Sequence, residues 1–346
     1  MKKAKALILV LACMFSLVGC VKQTPGGNTE GNANTTDNQN IEPADDGEMK
    51  VAFIFGTLQL DFYAYMAAAA KYKAEQLGMT VDLYDGQGDL AQKDANFDQV
   101  MALGYDCIII VGEEASITAV REANAMGIPV VCVDMMLDEG EYIAQIESDN
   151  TGMGETLGQL TVDYLIEKNG SASGKVFYLE SPGSPIQGIR SAGYLSVLEQ
   201  HSEIEVEQLV LESYLAEPTE RQVNDLLIRE PEGTIDVIMG CNAGGSLGGL
   251  AAVISAGRNE IAVIGIDDED GQILALKDEN NPYIATMAQS SINIGMEGVQ
   301  AAYDYLTDGT VIGEKKLECT LVTKDNVEDY VSSVAELKQT LEAYLP

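Results

Sequence analysis

The stretch CIIIVGEEASITAVREANAMGIPVVCVD, residues 107–134, decides the class of fold. It holds two short apolar runs, Cys107-Ile108-Ile109-Ile110-Val111 and Pro129-Val130-Val131-Cys132-Val133. Neither run alternates polar with apolar residues, so each reads as a strand buried on both faces. Between them, residues 116–126 have helical character, and Gly127 supplies the stop. A strand, a helix and a second strand, both strands apolar throughout, form a unit of a parallel sheet covered by helices.

The same alternation extends outward. Val51-Ala52-Phe53-Ile54-Phe55 reads as a strand, 62–77 as a helix closed by Gly78, 81–84 as a strand and 90–103 as a helix closed by Gly104. The pattern then restarts. A helix over 152–167 leads to strands at 176–179, 206–210, 235–239 and 261–266, separated by helices at 187–200, 219–229 and 246–256. A short helix, a strand at 283–287, a helix at 292–306, a strand at 317–322 and an amphipathic helix over 326–345 complete the chain. Two successive series of similar size predict two similar α/β lobes, each a doubly wound parallel sheet. Ligands of such sheets bind beyond the carboxyl ends of the strands. The tips to watch are therefore 56–62, 112–114, 134–136, 181–190, 240–245 and 267–271, which together hold many polar residues and glycines.

The first residues belong to a different class. Lys2, Lys3 and Lys5 precede an apolar run over 6–18, then Gly19 and Cys20. This is the layout of a secretory signal peptide over 1–19. Its apolar run falls short of the ~20 residues of a typical membrane span. Leu17-Val18-Gly19-Cys20 resembles the lipobox of bacterial lipoproteins, which implies Cys20 as a lipid-attachment residue and a membrane anchor at the chain's N-terminus. Residues 20–48, rich in Asn, Thr, Gly and acidic side chains, read as a flexible tether.

Charge and composition exclude several functions. The chain has 346 residues, 20 basic against 55 acidic, for a formal net charge of −35. Such a surface repels nucleic acid, and no nucleic-acid partner is expected. Six cysteines occur, with no Cys-x-x-Cys pair and no zinc pattern, so no metal or other cofactor is expected. Cys107 and Cys132 sit in or beside strand-like runs as buried thiols; whether any of Cys107, Cys132, Cys241 and Cys319 pair is left open by spacing alone. His201 is the single histidine, in a polar stretch, and no Gly-x-Ser-x-Gly elbow is present. Gly240, Gly244, Gly245, Gly248 and Gly249 lack the Lys-Ser/Thr ending of a phosphate loop and read as a strand-to-helix turn. An enzyme is not expected.

Several segments carry a family resemblance. They are Asp85-Gly86-Gln87-Gly88-Asp89, Gly127-Ile128-Pro129-Val130-Val131 with Asp134, Ile146-Glu147-Ser148-Asp149-Asn150, Val263-Ile264-Gly265-Ile266-Asp267 and Ala285-Thr286-Met287-Ala288-Gln289. In this order, over 50–323, they resemble the ribose- and galactose-type periplasmic sugar-binding proteins, substrate-binding components of ABC transporters. The resemblance implies a Venus-flytrap fold of type 1, with a three-crossover hinge near 148–150, 289–291 and 318–320. It implies an N-terminal lobe of 49–148 plus 291–317 and a C-terminal lobe of 149–290 plus 318–346, in a monomer that closes on its ligand.

Carried over residue by residue, the resemblance implies ligand contacts at Phe62, Tyr63, Asp134, Gln187, Arg190, Asn242, Asp267 and Gln289. Aromatic faces suit the C–H face of a sugar ring, and carboxylates and amides pair with hydroxyls. Each residue also has a plainer reading. Phe62 and Tyr63 fit the first turn of a core helix, and Asp267 fits a helix N-cap. Arg190 and Gln187 fit either a cleft contact or lobe structure, and Glu113 and Glu114 fit a solvated helix start. Met135 and Gly188 stand where ribose binders of the family have arginine, Ala243 where they have aspartate, and Asp61 where proline is common, so the pattern departs from a ribose site. The chain has no Trp. Asp61, Glu113, Glu114, Asp134 and Asp267 give the expected cleft an acidic balance, suited to a neutral or cationic solute such as a sugar, amino-sugar or polyol. The function implied is capture of such a solute outside the cytoplasm and its delivery to an ABC transporter permease. The alternative is presentation of the bound solute to a membrane histidine kinase or chemoreceptor. A sugar-responsive transcription regulator would share the lobes but begin with a DNA-binding helix pair.

Overall fold

In a computed structural model of the protein, residues 49–180 and 185–346 are described. The expected signal peptide, Cys20 and the tether lie outside the described residues, as do residues 181–184 of one expected strand tip. Among the described residues no helix is long and apolar enough to cross a membrane.

The elements follow in order: β1 (Met49–Phe55), α1 (Asp61–Leu77), β2 (Met79–Asp85), α2 (Leu90–Leu103), β3 (Cys107–Val111), α3 (Ile117–Ala125), β4 (Val130–Val133), β5 (Ala144–Ser148), α4 (Asn150–Asn169), β6 (Gly174–Glu180), α5 (Pro185–Leu198), β7 (Ile204–Val210), α6 (Ala216–Arg229), β8 (Val237–Gly240), α7 (Ala243–Ser255), β9 (Ala262–Ile266), α8 (Asp270–Lys277), β10 (Tyr283–Ala288), α9 (Ser291–Asp308), β11 (Gly313–Leu317), β12 (Thr320–Thr323) and α10 (Val327–Leu341). The first sheet has the order β11-β5-β4-β3-β1-β2 and the second β12-β10-β9-β8-β6-β7. Written side by side, the two sheets have the same strand order, and they differ only in the direction of the edge strand. Every pairing is parallel except β10 with β12.

The two-residue period of a strand explains how each sheet is covered twice. In the first sheet, Val51, Phe53 and Phe55 face Met66 and Ala67 of α1 and Ile294 and Val299 of α9. Their neighbours Ala52 and Ile54 face Phe97 and Val100 of α2 and Val120 of α3. In the second sheet, Phe177, Leu179, Ile238 and Val263 pack on α6 and α7. Val176, Val237, Met239 and Ile264 pack on α4 and α5. Continuous apolar strands are thus required, because both faces are sealed from water.

Two expectations about the chain's path are corrected. The strand read at 317–322 is two strands. Leu317 pairs with Ser148 in the first sheet, while Thr320 pairs with Ala288 in the second, and the chain crosses between lobes at Glu318 and Cys319. Leu317-Glu318-Cys319-Thr320-Leu321-Val322 gives no sign of the break because apolar residues stand on both sides of it, Leu317 packing in one core and Leu321 and Val322 in the other. The last helix, allotted wholly to the second lobe, reaches the first as well. Val327 sits in the second lobe's core, whereas Leu341 is buried against Ala68 and Ala69 of α1.

Glycines decide how closely α4 and α5 approach. A methyl at Gly154 would stand 2.1 Å from the carbonyl oxygen of Arg190 and 2.7 Å from the amide nitrogen of Tyr194. Gly193 faces Thr151 in the same way, at 2.4 Å from its carbonyl oxygen. Gly154→Ala must therefore push the helices apart. We expect it to cost about 1–3 kcal/mol in urea unfolding and to shift the segment of α5 that carries Arg190.

Candidate functional site

The two sheets present equivalent tips. Asp134 follows β4 and Asp267 follows β9, the third strand of each sheet in the orders given above. Both aspartates hold positive φ, 72° and 84°, a region that costs non-glycine residues energy and recurs where function needs a particular geometry. Both amides donate to the neighbouring strand, Asp134 N to the carbonyl of Ile146 at 2.8 Å and Asp267 N to that of Met287 at 2.9 Å. The strand ladder thus continues one residue past each strand.

Around Asp134, the Tyr63 hydroxyl donates to Oδ2 at 3.0 Å. Tyr63 stands on the first turn of α1, edge-on to Phe62 and Phe55, with ring centroids 5.3 and 6.3 Å away. Around Asp267, the amide of Ala243 donates to Oδ2 at 2.8 Å and Gln289 Nε2 donates to Oδ1. The Thr286 hydroxyl donates to the carbonyl of Asp267 at 2.7 Å. Gln289 is 5% exposed, and its Oε1 is buried with no hydrogen-bond partner. A buried acceptor left without a donor costs stability.

Arg190 lies on α5, buried, and is held at its fork. Its Nε donates to Asn150 Oδ1 at 2.9 Å and one terminal nitrogen to the carbonyl of Cys241 at 3.0 Å. Its charge is felt across the cleft. Burial pushes the Asp134 carboxyl above its ordinary range, Arg190 and the Tyr63 hydrogen bond pull it back, and Asp267 pushes it up again. Burial, then Asp134, holds the Tyr63 hydroxyl well above its ordinary value. Residues of both lobes therefore share one electrostatic environment, in which Asp134, Asp267 and Arg190 leave an excess of negative charge.

The remaining expected residues fall into place differently. Phe62 lines a cavity of about 310 Å³ together with Asp267 and Gln289, beneath Lys338 of α10. Gln187 is buried one turn before Ser191, whose hydroxyl donates to its carbonyl at 2.9 Å. Asn242 spends both ends of its amide on structure: Oδ1 caps α7 by accepting from Gly245 N at 2.9 Å, and Nδ2 donates to the carbonyl of Tyr214 at 3.0 Å. Glu113 is paired with the buried Lys93 at 2.6 Å, and Glu114 is exposed. The Asp85–Asp89 turn is architectural, since Asp85 Oδ1 accepts from the amides of Leu58 and Gln87 while Asp89 caps α2.

Asn150, placed by the sequence only in the hinge crossing, also orients Arg190 by accepting from its Nε, a contact forty residues apart that nothing local signals. Tyr330 and Lys338, which line the cavity from α10, were equally hidden, since nothing local links that helix to a strand tip. Burial holds all four described cysteines up as thiols, Cys241 to about 12, and none is bonded to another. Among the described residues no group of three or more His, Cys, Asp or Glu is placed to hold a metal ion.

The raised carboxyl of Asp134 has a consequence for stability. The folded chain holds this proton to higher pH than the unfolded chain, so the ionised form is disfavoured by folding, with a penalty that appears as pH rises through the folded value. Asp134→Asn keeps an acceptor for Tyr63 and removes the desolvated charge. At neutral pH it is expected to raise the melting midpoint by a few degrees, and the gain should vanish as pH falls into the ordinary carboxylate range. Calorimetry across pH checks both parts.

Comparison with known proteins agrees with this architecture. The sequence model described as periplasmic binding protein domain matches residues 51–310. The ribose import binding protein RbsB of Bacillus subtilis (strain 168) is 28% identical over 312 residues, covering 88% of this chain and 94% of its own. The D-apiose import binding protein of Paraburkholderia graminis is 27% identical over 284 residues, covering 80% and 88%. An ABC transporter solute-binding protein from Agrobacterium vitis, solved with bound allitol, shares the fold with a TM-score of 0.74 at 21% identity, over 83% of this chain and 99% of its own. With two parallel-sheet lobes meeting at their strand tips and a family match across most of its length, the chain belongs to the periplasmic binding protein family, whose members bind solutes for ABC transporters and are not enzymes.

Proposed function

We propose that the chain captures a neutral sugar or polyol between its lobes, outside the cytoplasm, and hands it to an ABC transporter permease. The observation that carries this reading is the pair of tip aspartates, equivalent in the two sheets and tied alike to their neighbouring strands. In this reading Asp134 and Asp267 accept hydroxyl hydrogens, and Gln289 Oε1 accepts another. Arg190 donates from the second lobe, and Phe62 with Tyr63 receives the ring's apolar face. Gln187 stands one turn before Arg190 on α5, and Asn242 contributes by shaping its turn. Each lobe supplies part of the contacts, so the ligand favours the closed form over the open one.

Charge argues for the class of ligand. Asp134 and Asp267 outnumber Arg190, and Asp61, Asp268, Glu269 and Asp270 line the adjoining cavity. An anionic sugar would meet repulsion in a low-dielectric site. The relatives named for ribose and D-apiose, and the neighbour holding allitol, are proteins of neutral ligands. Met135 and Gly188 stand where ribose binders of the family carry arginine, so ribose itself is disfavoured. Relatives named for import favour transport over presentation to a kinase or chemoreceptor.

Isothermal titration of the purified chain against pentoses, hexoses, polyols and their phosphates tests this. Binding of a neutral member is expected, whereas binding of sugar phosphates without any neutral sugar rejects the reading. For the neutral ligand found, Asp267→Ala should cost about 2–5 kcal/mol, or roughly 30-fold and more in Kd. We also propose that Cys20 carries a lipid, as the lipobox-like Leu17-Val18-Gly19-Cys20 implies. Cys20→Ser should then release the chain from the membrane fraction of cells that make it, and retention on the membrane would contradict the anchor.

A further inference from the structure

The last helix belongs to one lobe by connection and touches both. It follows β12 directly, and its first turns are fixed to the second lobe. Val327 is buried with Leu276, Tyr283 and Val322, Asn326 accepts from Thr323 N at 2.7 Å, and Tyr330 donates to Asp268 Oδ2 at 2.7 Å. Its last turns rest on the first lobe. Leu341 is fully buried against Ala68, Ala69 and Ile292. The one-turn 3₁₀ helix Glu342–Tyr344 follows, where Tyr344 donates to Glu75 and meets the Tyr72 ring edge-on at 5.5 Å. Lys338 joins the two sides. Its ammonium lies 3.2 Å from Asp268 Oδ2 of the second lobe and 5.5 Å from the ring centre of Tyr65 of the first.

A hinge motion about the three crossings must therefore shear this helix from one lobe or the other. The two sides are unequal. On the second lobe the helix is held by the core residue Val327, by the Asn326 side chain bonded to the backbone of Thr323 and Leu321, by the Tyr330–Asp268 hydrogen bond and by the covalent link to β12. On the first it is held without a chain connection, by Leu341 among Ala68, Ala69 and Ile292 with Leu337, Met296 and Tyr72 packed around them, and by the Lys338 and Tyr344 contacts at the surface, where polar contacts are weak. We propose that α10 is a clasp, a non-covalent fourth link between the lobes that parts from α1 when the cleft opens and thereby sets how often the unliganded protein is open. The cavity lined by Phe62, Asp267 and Gln289 lies under Val334 and Lys338 of the clasp, so its release uncovers that side of the cleft. The proposal does not depend on which solute the cleft takes.

The test measures a distance across the mouth of the cleft. Nitroxides are placed through non-natural amino acids at the exposed Ala115 and Leu215, one per lobe, which leaves the native thiols untouched. Pulsed dipolar spectroscopy is run on the full chain without ligand. The variant Leu341→Ala with Tyr344→Ala is expected at least to double the population at long distances. Val327→Ala, which weakens the second lobe's core, is expected to lower the melting temperature and leave the distances alone. Should the double variant fail to fold, Lys338→Met with Tyr344→Phe keeps the side-chain bulk and is expected to shift the population in the same direction by less. An unchanged distance distribution in a folded clasp variant, or an equal shift in Val327→Ala, overturns the proposal.

Discussion

Three short crossings govern this molecule. The chain passes from the first sheet to the second through Asp149, back to the first through Gln289 and Ser290, and out to the second again through Glu318 and Cys319. Each crossing leaves directly from the carboxyl end of a strand, so the tips of both sheets are bound to face one another. Everything chemical follows from that placement. Asp134 and Asp267 end equivalent strands, and a backbone held at positive φ sets each at its tip. Arg190 reaches the same space only because glycines let α5 lie close on α4.

The polar groups of the site are costly where they stand. Asp134 is desolvated, Gln289 keeps an unpaired oxygen, and Tyr63 hydrogen-bonds to a buried carboxylate. A fold selected for stability alone would place apolar side chains here. In the proposed function, a polyhydroxylated guest would supply the missing hydrogen bonds and so favour the closed form. The same logic separates site from scaffold. Asn242, Asp85, Asp89 and Glu113 are polar and near strand tips, but each has its bonding satisfied within the chain.

Much of this was legible in the sequence, for definable reasons. Runs such as Val51–Phe55 and Cys107–Val111 are apolar on both faces, and only a sheet covered twice requires that. Asp134 and Asp267 follow such runs directly, so their position at the tips could be read. What stayed hidden depends on contacts far apart in sequence. The break at Glu318 and Cys319 is invisible because apolar residues on either side of it, Leu317 and Leu321 with Val322, pack in different cores. Asn150 reads as part of a hinge crossing and orients Arg190 forty residues on. The reach of α10 to Ala68 and Glu75 leaves only an amphipathic pattern, which any surface helix has.

The account rests on one guest held by two lobes at once. The measurement that tests it most directly is a crystal structure of the chain with a neutral sugar or polyol that it binds. The account predicts that hydroxyls of a single molecule lie within hydrogen-bond distance of both the Asp134 and the Asp267 carboxylates, with Gln289 Oε1 accepting a third. A ligand seated on one lobe only, or outside the space between these two side chains, would contradict it.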